Sequence, residues 1–167
     1  MSHERDPLEL LARMLVGGGY KVPVEGRGTV VPLTGADVAG ALAYMDDKLA
    51  QRAAKAVAIR ADGQELAALA LLAFDPVQRA LEQSRVTGLD MSSAADRHRL
   101  RLIIHAAVVE MVWPERKQAT AVLARQVKMR GATYVRIHTV ALRALEEALH
   151  DGRVEFRKRL FGDLGGG

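Results

Sequence analysis

Arg125, Lys128, Arg130, Thr133 and Arg136 stand close together in the last third of the chain. Their side chains suit one chemistry, the recognition of a polyanion. A guanidinium pairs in a planar fork with phosphate or with the acceptor edge of guanine, and an ammonium holds phosphate as a point charge. A threonine adds a hydroxyl for phosphate and a methyl for an apolar base edge. A second basic cluster, Arg157-Lys158-Arg159, lies between Phe156 and Leu160. It suits phosphates, an anionic protein surface, or plain solvation of a helix end. Charge is spread to match. Residues 1–90 carry 10 Lys and Arg against 12 Asp and Glu, a balance of −2, whereas residues 91–167 carry 14 against 8, a balance of +6. The partner this suggests is nucleic acid, set against the alternative that the basic residues only solvate helix faces.

Other chemistries find less in the chain. No Ser-His-carboxylate catalytic motif appears, and Gly17-Gly18-Gly19 lacks the Lys and Ser/Thr that complete a phosphate loop. His98 and His105, seven apart, share a helical face but would pair on a metal only with carboxylates from elsewhere. Ordinary polar histidines are the simpler reading. There is no cysteine, hence no disulfide and no thiolate zinc site. The expectation is a protein that is not an enzyme and uses no cofactor or metal. The mixed charge of residues 1–6 is unlike a signal peptide, and no apolar run approaches the ~20 residues that span a bilayer. A soluble, cytoplasmic protein is expected.

The elements that must position the basic residues read as helices. Hydrophobic residues make up 49% of the chain but are mostly Ala, Leu and Val, as in packed helices with small side chains. Pro7 followed by Leu8, Leu10, Leu11, Met14 and Leu15 predicts a short helix stopped by the glycine triplet. Residues 20–33 have two β-prone arms around a Gly-containing turn, so a small hairpin or an irregular loop is expected there. Thr34 can cap a long helix with Val38, Leu42, Met45, Leu49 and Ala56 inward. The run from Leu66 to Phe74 is apolar all round, which predicts a central helix buried on most sides and ended by Asp75-Pro76. Val77, Ala80 and Leu81 then face inward from another short helix. Residues 85–91 read as a connector, Ser93 and Asp96 as a capping pair, and the next helix runs to about Trp113 with Leu100, Ile103, Ile104, Ala107, Val108 and Met111 inward.

Past Trp113-Pro114 two helical patterns adjoin across Lys128-Met129. Leu123, Ala124 and Val127 form the inner face of the first, and Tyr134, Ile137, Ala141 and Leu145 that of the second. A small residue at Ala124, an apolar one five later at Met129, and apolar ones ten and thirteen later at Tyr134 and Ile137 match two short helices crossing steeply over a small core. Arg130, Ala132, Thr133, Val135 and Arg136 are then left outward. In this stretch, residues 115–150, the chain resembles the helix-turn-helix family of region four of bacterial sigma factors and of Q-type bacteriophage late-gene antiterminators, with Ala141-Leu142-Arg143-Ala144-Leu145 supplying the tail of the pattern. Lys128 stands where that family usually has glycine. The resemblance implies a transcription regulator that binds double-stranded DNA and engages RNA polymerase. A helical phage assembly or packaging protein and a protein-binding adaptor are the alternatives. The expected architecture is all-α, with an N-terminal helical bundle over residues 1–113 and a helix-turn-helix module with a basic tail over 114–167.

Overall fold

Helices make up all the regular structure in the computed structural model, which describes residues 6, 8–9, 11–13 and 35–162, with no strand among them. The all-α class is as expected. The hairpin expected over 20–33 and the glycine runs at 17–19 and 165–167 lie outside the described residues. Residues 8–9 and 11–13 are helical. After them, in chain order, come α1 (Gly35–Ala43), α2 (Lys48–Ile59), α3 (Gln64–Gln83), α4 (Ala94–Val112), a 3-10 turn (Pro114–Arg116), α5 (Thr120–Gln126) and α6 (Gly131–Phe161). No described helix is long and apolar enough to cross a membrane.

Two expected helix limits need correction. The long helix after Thr34 is two helices, α1 and α2. Val38, Leu42 and Met45 are buried as spaced, but two neighbouring acids break the run. Asp47 caps α2 by accepting from the Ala50 N–H at 3.1 Å, and the Asp46 N–H donates to Glu155 Oε1 at 2.9 Å instead of to its own helix. Gln51 Nε2 donates to the Leu42 carbonyl at 2.7 Å, at the end of α1, where that carbonyl also accepts the Met45 N–H at 3.3 Å. Leu49 is half-buried, and the inner side of α2 belongs to Ala50, Ala53, Ala54 and Ala56.

The stop expected at Asp75-Pro76 does not occur, because α3 continues through Pro76 to Gln83. Proline has no N–H for the carbonyl four residues back, a loss of about 3 kcal/mol in a helix interior. Burial of Leu66, Leu69 and Ala73 before it and of Val77 and Leu81 after it, where α3 packs against α4, keeps the helix whole. The apolar run itself is buried on one side only: Leu71 is 67% exposed and Leu72 40%. On α4, Ser93 Oγ accepts from the Asp96 N–H at 3.4 Å, so the expected cap is present. Val112 is buried at the end of that helix where Met111 was the expected inward residue.

The chain divides into two compact units, Met1–Ile59 with Leu149–Gly167, and Arg60–Ala148. These do not follow a boundary at 113/114. Trp113-Pro114 lies inside the second unit, where Trp113 Nε1 donates to the Ala61 carbonyl at 2.7 Å. The guanidiniums of Arg60 and Arg116 sit 4.2 and 3.9 Å from the indole centre, and Arg60 also pairs with Glu115. Proline stops a helix through its ring, but a core stops only where side chains no longer meet.

In the first unit Val38, Leu42, Met45, Phe156 and Leu160 are buried. Here α6 crosses α2 so closely that a Cβ on Gly152 would lie 2.5 Å from the Ala50 carbonyl oxygen and 3.1 Å from the Ala54 Cβ. Glycine in the middle of a helix is disfavoured by about 0.5–1 kcal/mol relative to alanine, and this approach is the reason for it. In the second unit the buried faces of α3 and α4 are joined by Ala124, Val127, Tyr134, Ile137, Ala141 and Leu145.

Candidate nucleic-acid interface

Four residues, 127–130, join α5 to α6, and hydrogen bonds define their course. The Lys128 N–H donates to the Arg125 carbonyl at 3.1 Å and the Met129 N–H to the Ala124 carbonyl at 2.9 Å. This pair of bonds is a Schellman closure, which requires left-handed backbone at its penultimate residue. Lys128 takes that conformation, with φ 54°. The sequence pattern placed lysine where glycine is usual, and the turn forms regardless.

The inner residues meet as spaced. Ala124, Val127, Tyr134, Ile137, Ala141 and Leu145 are all buried, and Leu123 and Met129 are partly so. The turn is also tied to α4, through a contact that local spacing could not reveal. Arg99 Nε donates to the Val127 carbonyl at 3.1 Å, and its Nη1 holds Asp96. Asp96 in turn accepts from the Asp90 N–H at 2.8 Å. That N–H, and then the Arg99 guanidinium, hold the Asp96 carboxyl below the usual carboxylate range. Asp90 is held down likewise, first by the Ser92 hydroxyl and then by the Ser92 N–H.

A second set of polar contacts backs the start of α6. Glu110 on α4 receives Lys117 Nζ at 3.0 Å on one oxygen and His138 Nε2 at 2.9 Å on the other. It thereby links α4 to the segment before α5 and to α6. His138 stacks on Tyr134, with ring centres 5.6 Å apart. The Tyr134 hydroxyl is buried with no hydrogen-bond partner, and burial, then the Glu110 charge, push its pKa up to about 12. It stays protonated and neutral.

The outward face of α6 in this unit carries Ala132, Val135, Arg136, Thr139 and Arg143, all exposed. Positions 132, 136, 139 and 143 repeat at helical spacing and form one stripe, about 16 Å long at 1.5 Å per residue. Glu146 and Glu147 follow, so the positive stripe ends after Arg143. Arg130 precedes the helix, its carbonyl accepting from the Tyr134 N–H at 2.9 Å. Its guanidinium cannot accept from the first-turn N–H groups as a capping side chain would. Those groups and the helix dipole favour an anion at this end.

Of the eight basic or polar residues singled out in the sequence, four are exposed in the second unit. They are Arg125, Lys128, Arg130 and Arg136, Arg125 donating from Nε to its own helix at Ala121 O over 3.3 Å. Thr133 is corrected: it is half-buried, and its methyl lies 2.5 Å from where a Gly88 Cβ would be, so it packs on the connector between α3 and α4 instead of facing outward. Arg157, Lys158 and Arg159 belong to the other unit. Arg159 is not a free cation, because it pairs with Asp46 at 3.1 Å and Glu155 at 3.2 Å. His98 and His105 are exposed, and among the described residues no three His, Cys, Asp or Glu are placed to hold a metal ion.

No family model, curated protein or solved structure matches the chain. Its chemistry is therefore read from its own residues. Within the second unit some cations are paired and others are not. Arg60, Arg99, Arg116 and Lys117 each pair with a carboxylate. Lys128, Arg130, Arg136 and Arg143 are exposed and have no ion pair among the described residues. Arg79, Arg85, Arg101 and Arg125 are likewise exposed without an ion pair among the described residues, but Lys128, Arg130, Arg136 and Arg143 fall along one turn and one helix face.

Proposed function

We propose that the chain binds double-stranded DNA through α5 and α6 acting as a helix-turn-helix, with α6 as the recognition helix, and that it regulates transcription by doing so. The observation that carries this reading is the unpaired set Lys128 and Arg130 in the turn and Arg136 and Arg143 on the outward side of α6, a helix whose inner side is fixed in the core. Unpaired arginines on a rigid helix suit base and phosphate contacts, because little ordering is left to do on binding. Arg136 is the reader, forking onto guanine acceptors in the major groove, while Ala132 and Val135 offer apolar contact to thymine methyls. Lys128 and Arg130, at the turn, hold phosphates beside the groove. RNA polymerase as a further partner is an extension that rests on the sequence resemblance, and co-purification with the polymerase tests it.

The decisive experiment selects duplexes from a random pool and compares the preferred duplex with random duplex by fluorescence anisotropy at several salt concentrations. The expected result is a clear preference and a steep salt dependence. Binding without preference would favour an assembly or packaging role. Absence of binding to any duplex would leave a protein-binding adaptor as the better reading.

A further inference from the structure

We propose that Arg85 is a second contact with the DNA backbone, reaching the phosphates beside the recognition helix from the connector between α3 and α4. The proposal rests on the DNA-binding reading above.

Three described non-glycine residues have left-handed backbone, Arg60 (φ 48°), Arg85 (φ 55°) and Lys128 (φ 54°). Each is basic and each follows a helix end. Left-handed backbone disfavours a residue with a Cβ by about 1–2 kcal/mol, so glycine or asparagine is the usual occupant. For Arg60 the protein itself offers a partner, the Glu115 carboxylate with the Trp113 ring. Arg85 and Lys128 have none among the described residues, and both are exposed. Their local structures also correspond. The Arg85 N–H donates to the Glu82 carbonyl at 3.1 Å and the Val86 N–H to the Leu81 carbonyl at 3.0 Å, repeating the closure found at Lys128.

Both turns abut the same part of α6. Lys128 is three residues before Gly131, where the helix starts. Arg85 is three residues before Gly88, whose backbone (φ 116°) is pressed against the Thr133 methyl in the first turn. Val86, Thr87 and Leu89 share a small cavity of about 70 Å³ with Ile137, one turn further on. Three residues of chain span at most about 11 Å, so Arg85 is held near the end of α6 that enters the groove. A helix lying in the major groove has phosphates along its sides, and an unpaired guanidinium there meets one. Exposed Thr87 supplies a hydroxyl donor on the same stretch. Asp90, exposed and occupied with Ser92, sets the limit of the contact, since a carboxylate repels phosphate.

Arg85→Gly removes the charge and relieves the left-handed backbone, so the variant folds at least as well as the parent. Arg85→Lys keeps the charge. Affinity for the preferred duplex is measured between 50 and 200 mM salt. One lost phosphate contact flattens the salt slope by about 0.9, so the parent's advantage over Arg85→Gly shrinks about 3.5-fold across that range. Arg85→Lys should restore the parent slope. An unchanged affinity and slope in Arg85→Gly, with Lys128→Gly and Arg136→Ala both impaired, would overturn the role of Arg85 while leaving the DNA reading intact. Failure of the parent to bind any duplex would remove both.

Discussion

The two basic stretches of α6 look alike in sequence and differ in what surrounds them. From Arg130 to Arg143 the cations are exposed and form no ion pair among the described residues, while the inner side of the helix is buried through Tyr134, Ile137 and Ala141. From Arg153 to Arg159 the same helix is used for internal contacts: Arg153 pairs with Asp6 at 3.6 Å and Arg159 with Asp46 and Glu155. The difference teaches that the number of positive charges is a poor guide to polyanion binding. What matters is whether a cation's partner is already present in the fold.

The largest effect expected from breaking this contrast is on stability, at the crossing in the first unit. Gly152→Leu forces side-chain atoms onto the Ala50 carbonyl, which is backbone and cannot swing aside. It should destabilise by about 1–3 kcal/mol or more. Ala132→Leu, on the exposed stripe, should change stability by less than about 0.5 kcal/mol. Thermal melts of the two variants check this, and equal melting temperatures would mean that the crossing at Gly152 is misplaced.

Next in size is the effect on recognition. Arg136→Ala should lower the preference for the selected duplex by about 1–3 kcal/mol and reduce binding to random duplex much less. Arg159→Ala should leave that preference unchanged and lower stability by at most about 1 kcal/mol, because its ion pairs are partly exposed and screened by salt. Anisotropy on both duplexes, with melts at low and high salt, separates the two. If the losses were exchanged, the assignment of outward and inward cations would have to be reversed.

A smaller change sharpens the role of the turn. Lys128→Gly relieves left-handed backbone and should stabilise the fold by up to about 1 kcal/mol, less the extra entropy glycine has when unfolded. The same variant should lose one phosphate contact and flatten the salt slope. A gain in stability together with a loss of binding is the signature of a residue kept for contact and not for folding.

The smallest effect concerns pH. Asp90 and Asp96 are both held below the ordinary value of 3.8 in the folded protein. Unfolded, they take up protons at higher pH than folded. Their contribution to stability is therefore present above about 3.8 and is lost as pH falls through the lower folded values. Asp96→Asn should shift the acid limb of a pH–melting curve and leave the curve's shape above pH 5 alone. An acid limb identical to that of the parent would show that the Asp90–Asp96–Arg99 chain does not tie down the turn.

Much of the second unit was legible in the chain itself. Leu100, Ile103, Ile104, Ala107 and Val108 of α4, the small Ala124, and Tyr134, Ile137, Ala141 and Leu145 are buried as their spacing requires, because a helix repeats every 3.6 residues and its inner face follows from that period. Capping by Ser93 is equally local, since the donor it satisfies is three residues away. The outward direction of Arg130 and Arg136 follows from the same period once the inner face is known.

Contacts distant in sequence decided the rest. Whether Pro76 ends α3 depended on apolar neighbours before and after it outweighing one lost hydrogen bond, and no local rule states that balance. Asp46-Asp47 broke a periodic run because Glu155, far along the chain, accepts the Asp46 N–H. Thr133 turned inward because Gly88 leaves room for its methyl, and Gly152 is needed because α2 passes beside it. Arg159 is occupied because Asp46 is near, and Arg136 is exposed with no ion pair among the described residues. Amino-acid types and their period determined that the chain is helical and which sides of most helices are apolar. Only the tertiary structure decided which of the remaining charges are already neutralised, because a pairing partner is defined by distance in space and not along the chain.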